Sequence, residues 1–144
     1  MPDVLRPSRL VQQLLLAHNI CQTDANAPWR CFTMRLPDGI GTVDNAVTVA
    51  DREDIETGRY IADSTYRLDP HVQIVVRAVG FHTCYDKMRE ITDLLDTVNG
   101  EEIVYEGETY TFITAKRTTN VQFNGIDATG RRYIHTIEYD IRFN

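Results

Sequence analysis

The sequence predicts an α+β domain: a mainly antiparallel sheet of about five to six strands with two α-helices packed on it. Three observations carry that reading. First, His71 to Val79 (HVQIVVRAV) alternates with a period of two, with Val72, Ile74, Val76 and Ala78 on one face. Second, Gly80 passes this strand directly into an amphipathic helix. Phe81, Cys84, Tyr85, Met88, Ile91, Leu94, Leu95 and Val98 recur there at three- and four-residue steps. Third, short alternating runs bounded by turn residues flank this unit on both sides, which supplies the other strands.

Taken in order, Pro7-Ser8 opens a first helix with Ser8 as its N-cap. Leu10, Val11, Leu14 and Leu15 share one face, Leu16 and Ala17 widen it, and the helix ends near Asn19. Gln22 to Pro28 is turn-like. Trp29 to Leu36 alternates as a strand, and Pro37-Asp38-Gly39 breaks it. Ala46 to Ala50 is a second short strand. Asp51 to Glu56 is a charge run holding Asp51, Glu53, Asp54 and Glu56. It reads as a solvated loop, or as a charged contact patch with another subunit. Arg59 to Asp69 either packs as an extended loop or makes a further strand. Pro70 keeps any helix there from running into the central strand.

After the central strand, His82 or Thr83 starts the second helix and Asn99-Gly100 stops it, since Gly tolerates a left-handed cap. Glu102–Tyr105 and Thr109–Ala115 flank Glu106-Gly107-Glu108, a hairpin signal with Gly107 at positive φ. Arg117 to Arg132 reads as a long polar connection with turn signals at Asn124-Gly125 and Asp127–Gly130. A connection of that length is uncommon in a compact domain unless it has a job. Tyr133 to Phe143 has the cleanest alternation in the chain, with Tyr133, His135, Ile137, Tyr139, Ile141 and Phe143 on one face.

At 144 residues the chain reads as one domain, 1–144, able to hold a core without staples. A net charge of −6 disfavours tight non-specific binding to nucleic acid. Three cysteines, Cys21, Cys31 and Cys84, give no disulfide framework and suit a reducing compartment. The longest apolar run near the N-terminus is Leu14 to Ala17, so neither a signal peptide nor a membrane span is expected, and folding in the cytoplasm is.

Catalytic patterns are weak. Gly39-Ile40-Gly41 lacks the third glycine and the strand-to-helix setting of a dinucleotide site. No P-loop, GxSxG or HExxH pattern occurs. His18, Cys21, Cys31, His82 and Cys84 sit on separate elements without paired ligand spacing, so neither metal nor cofactor is expected. The thiols read as buried, Cys84 above all, and Cys31 and Cys84 have no sequence-local His and Asn partners for nucleophilic work. Lys116-Arg117 with Arg131-Arg132 is the best basic patch, read as charged loop ends ahead of a phosphate contact. His135 reads as a packed histidine rather than a ligand.

The unit HVQIVVRAVGFHTCYDKMREITDLLD resembles the middle of the small tail-completion proteins of long-tailed bacteriophages, the tail terminators and related neck proteins. Val72-Gln73-Ile74, Arg77-Ala78 and the Tyr85–Leu95 helix carry the likeness. Asp127, Gly130, Arg131 and Tyr133 match the family's final turn and strand, and Asp44 to Val49 matches an earlier strand. The polar segment Arg117 to Asn124 departs from the family in having no proline. The resemblance covers about residues 29–144. It implies a structural, non-enzymatic virion protein, assembled in the bacterial cytoplasm. It would form a ring, usually six-fold, at the head-proximal end of the tail tube. There it would end tube polymerisation and join the tail to the neck or connector, while DNA passes through without specific binding. Its partners would be copies of itself, the tube protein and the connector protein, with no membrane. A rotational ring needs two different patches on one subunit. The opposite charge tendencies of the Asp51, Glu53, Asp54, Glu56 run and of Lys116, Arg117, Arg131 and Arg132 nominate those two.

Overall fold

Apolar alternation on a valine-rich run makes His71–Val79 the strand on which the other elements assemble. The structure is a computed structural model that describes residues 7–35, 43–52, 55–60, 65–127 and 130–143, with 55–60 and 65–69 described by backbone alone. The elements are α1 (Pro7–Ala17), β1 (Arg30–Thr33), β2 (Ala46–Asp51), β3 (Ile55–Tyr60), β4 (Thr65–Asp69), β5 (His71–Val79), α2 (Phe81–Thr97), β6 (Glu101–Tyr105), β7 (Glu108–Arg117), β8 (Gln122–Ile126) and β9 (Arg132–Phe143). This is the expected α+β architecture: the described residues hold two helices and a seven-stranded sheet in the order β1-β2-β5-β9-β7-β6, with β8 lying beside β9. Among the described strands, only β1 and β2 pair in parallel; β3 and β4 form a separate antiparallel pair.

Both helices cover one face of the sheet. Val72, Ile74, Val76 and Ala78 of β5 are fully buried, beside Ile137, Tyr139 and Ile141 of β9. Onto them pack Leu10, Val11, Leu14 and Leu15 of α1 and Cys84, Met88, Ile91 and Leu95 of α2. α1 touches β1 and β2 near one end of the strand order and β6 at the other, so the sheet curls around it. That wrap explains why even Ser8 and Gln12 of α1 are buried.

The segment expected as a long polar connection is mostly strand. β7 runs antiparallel to β9 as far as Arg117↔Tyr139, and Thr118 N donates to Glu138 O at 2.9 Å. β8 then resumes along the same side of β9 at Gln122↔Thr136 and Phe123↔His135. The Asn124-Gly125 turn signal is a bulge: Gly125 takes φ +98 and the register shifts between Phe123 and Ile126. The chain reverses between β8 and β9, where Gly130 N donates to Asp127 O and Asp127 N to Arg132 O, each at 2.9 Å. The extra strands beyond the expected number arise here and at β3–β4, where the two open readings of Arg59–Asp69 resolve to strand over 65–69. The Pro37–Gly39 break and Gly39–Gly41 lie outside the described residues.

Candidate functional site

Gly80, at φ +107, turns the chain from β5 straight into α2, so the helix begins at Phe81 rather than at His82 or Thr83. Phe81 and Tyr85, one helical turn apart, therefore stand over the rim of the sheet, where β8 ends and β9 begins. Phe81 lies 5.3 Å from Phe123 and 6.0 Å from Tyr133, ring centre to ring centre, both edge-on. Phe81 and Tyr85 are each 39% exposed, Phe123 49% and Ile126, which pairs with Tyr133, 51%. A contiguous apolar patch thus faces solvent at the Val79 end of β5. Uncovered aromatics clustered in this way suit a protein contact.

Beneath the patch lies His135, 1% exposed, with Phe81 at 4.9 Å, Phe123 at 5.4 Å and Tyr85 at 5.8 Å. Its Nδ1 is 3.0 Å from Cys84 Sγ, and that thiol donates to Val76 O at 3.1 Å. Burial pushes the thiol of Cys84 up to about 11 and pushes His135 below its ordinary value. The pair is neutral near pH 7 and fully covered, so in this arrangement Cys84 is a packing thiol rather than an activated nucleophile. The spatial histidine invisible in sequence is present, and its environment disarms it.

Beside the patch is an open depression of about 840 Å³ whose lining includes Val43, Asp44, Val79, Thr83 and Arg131. Arg131 pairs with Asp44 at 3.1 Å. Arg132 is 2% exposed, pairs with Asp127 and donates to Val43 O at 3.2 Å. Arg77, also buried, reaches the same carbonyl.

These contacts redistribute the charged residues that the sequence nominated. Asp51, Val72, Tyr139 and Arg117 lie in one row across β2, β5, β9 and β7, all facing the helices. Asp51 accepts from Ser8 N and Ser8 Oγ, each at 2.8 Å, and so caps α1 from 43 residues away. Arg117 forks onto Asp96 near the end of α2, and Tyr139 OH donates to the same carboxylate at 2.8 Å. Burial alone would raise the Asp96 carboxyl, but Arg117 and Tyr139 outweigh it and hold it below its ordinary value. Lys116 is exposed on the opposite face. Lys116-Arg117 and Arg131-Arg132 therefore do not form one patch: the first pair sits at the Asp51 end of the sheet, the second at the Val79 end. Glu53 and Asp54 lie outside the described residues, and Glu56 is described by its backbone alone, opposite Leu68.

The sequence reading missed Phe123, hidden among polar neighbours, and took Phe81 and Tyr85 simply as part of the core stripe. A strand reading of Val121–Phe123 would have set Phe123 on the apolar face. Among the described residues no group of three or more His, Cys, Asp and Glu side chains is placed to hold a metal ion. No helix is long and apolar enough to cross a membrane among those same residues. No protein-family model matches the chain, and no curated protein matches it.

Proposed function

We propose that this chain is a structural virion protein of a long-tailed bacteriophage. In this reading it closes into a six-fold ring at the head-proximal end of the tail tube, stops tube growth and joins the tail to the neck. The observation that carries the reading is the aromatic patch of Phe81, Tyr85, Phe123 and Ile126, together with its position. It lies at the Val79 end of β5, while the β3–β4 pair springs from the His71 end. A nine-residue strand separates these ends by roughly 27 Å. A closing, head-to-tail interface needs two different regions of one subunit, and these ends are far enough apart to supply them. The resemblance over residues 29–144 supplies the setting. Asp51, Arg117 and Arg132 would then support the interface from within, by fixing α1, α2 and the Asp127 turn. Lys116 and Arg131 would be the surface charges.

Negative-stain electron microscopy of the purified protein mixed with its phage's tube protein tests this. Rings of one size seated at a single tube end, with growth stopped, are the expected result. Tubes that grow uncapped, with the protein unbound, overturn the terminator role. Binding to the connector instead would place the chain in the neck as a head-completion protein.

A further inference from the structure

The dipeptide Asn-Gly stands at Asn99-Gly100 and again at Asn124-Gly125. Asparagine is thermolabile, and a following glycine leaves its side chain most open to attack, because no Cβ shields the next amide nitrogen. In both places the asparagine is exposed. At both glycines, no atom from beyond the adjacent residues lies within 4 Å of where a Cβ would sit, among the described residues. The surroundings differ. Asn99-Gly100 links α2 to β6. Val98 before it is 8% exposed, Ile103 after it 5%, and Glu101 is tied to His18 at 2.6 Å. Moving that link disturbs the core. Asn124-Gly125 is the bulge of β8. Phe123 pairs with His135 and Ile126 with Tyr133, so Asn124 and Gly125 together stand opposite Ile134, off the ladder register. β8 has 5 residues, of which Gln122, Phe123, Asn124 and Ile126 are exposed. Among the described residues it pairs with β9 alone. Opening such a segment uncovers little further apolar surface, so it sits at the low end of local stability.

We propose that Asn124-Gly125 is a site of spontaneous deamidation, with water as the co-reactant and the β8 bulge setting the rate. The Gly125 amide nitrogen gives up its proton and attacks Asn124 Cγ. An N–Cγ bond forms, the Cγ–Nδ2 bond breaks, and ammonia leaves with the proton. Water then opens the resulting succinimide ring. Cleavage of the new N–Cγ bond gives aspartate at position 124. Cleavage of the original peptide bond instead leaves the main chain running through the side-chain carbon, as isoaspartate. One water enters and one ammonia departs. No oxidant or metal is needed. The product sets a carboxylate between Phe123 and Ile126, which are 49% and 51% exposed in the aromatic patch. The isoaspartate form also lengthens the backbone inside the bulge, where the register with β9 already shifts. Asn99-Gly100 carries the same dipeptide and reacts more slowly, because α2 and β6 hold it on both sides. This proposal stands whether or not the ring reading holds.

The test incubates the native full-length protein in mildly alkaline buffer at body temperature and follows both Asn-Gly peptides over time by mass spectrometry. The expected result is the amide-to-acid mass shift at Asn124, as aspartate and isoaspartate, at roughly ten times the rate at Asn99. Product formed in heavy-oxygen water should carry a solvent oxygen. The same incubation in guanidinium chloride removes the fold that separates the two sites, and their rates should then agree to within about twofold. Equal rates in the native protein overturn the proposal. An Asn124 that stays an amide while Asn99 converts overturns it too, as does an Asn124 that converts only in guanidinium.

Discussion

Asp51 spends both carboxylate oxygens on Ser8, and that makes it the most consequential single charge on β2. The carboxylate satisfies a free amide at the start of α1 and sits at the positive end of its dipole. Asp51→Ala should lower stability by about 1 kcal/mol, read as a shift in the urea midpoint with an unchanged slope. His135 gives a second residue-scale expectation. Burial depresses its pKa below the ordinary 6.5, so the unfolded chain takes up the proton first as pH falls. Its contribution is fully present above about pH 6.5 and is lost as pH drops through that value toward the folded group's own. Urea melts between about pH 7.5 and 5 should show that loss in the wild type and a flatter profile in His135→Phe. Sequence alone put His135 on the right face. It did not reveal Cys84 and Phe81 around it, because β9 and α2 meet only through tertiary packing.

Among elements, β6 and β7 meet in a two-residue turn, Glu106 at φ +51 and Gly107 at φ +80. Both positive values match the right-handed twist of a hairpin, and glutamate tolerates the conformation less well than asparagine. Glu106→Asn should therefore raise stability by about 0.5 kcal/mol, measured by thermal melting. The strand–glycine–helix unit was legible because its periods are uninterrupted: Val72 to Ala78 in steps of two, then Cys84, Met88, Ile91 and Leu95 on one helical face. β8 was not legible, because the break after Arg117 and the bulge at Gly125 shift its alternation out of phase with β7. Two bulged pieces that share one partner strand look like a loop when read without the partner. The same limit applies to the patch. A hydrophobic stripe says that Phe81 and Tyr85 are apolar, but only the packing of α2 on β8 and β9 determines that they stay partly exposed.

For the molecule as a whole, the patch predicts a separation between folding and assembly. Phe123 is about half exposed, so Phe123→Glu should cost under about 1 kcal/mol in a melt while placing a charge in the middle of the aromatic surface. Sedimentation and tube-capping assays should then show loss of the ring with the monomer intact. Capping at the wild-type level would remove the patch from the interface.

The position of β9 has a further consequence, which concerns time rather than contacts. It is the last of the described strands, yet it sits inside the sheet, with β5 on one side and β7 and β8 on the other. Each β5–β9 pairing joins residues more than fifty positions apart, from Val79↔Arg132 to His71↔Asp140. A nascent chain that has reached only Gly130 holds β1, β2 and β5 as one ribbon and β6 and β7 as another, with nothing between them. The sheet can become continuous only when β9 has cleared the ribosome and threads that gap. Folding should thus be a late and comparatively slow event, governed by long-range closure rather than by local hairpins.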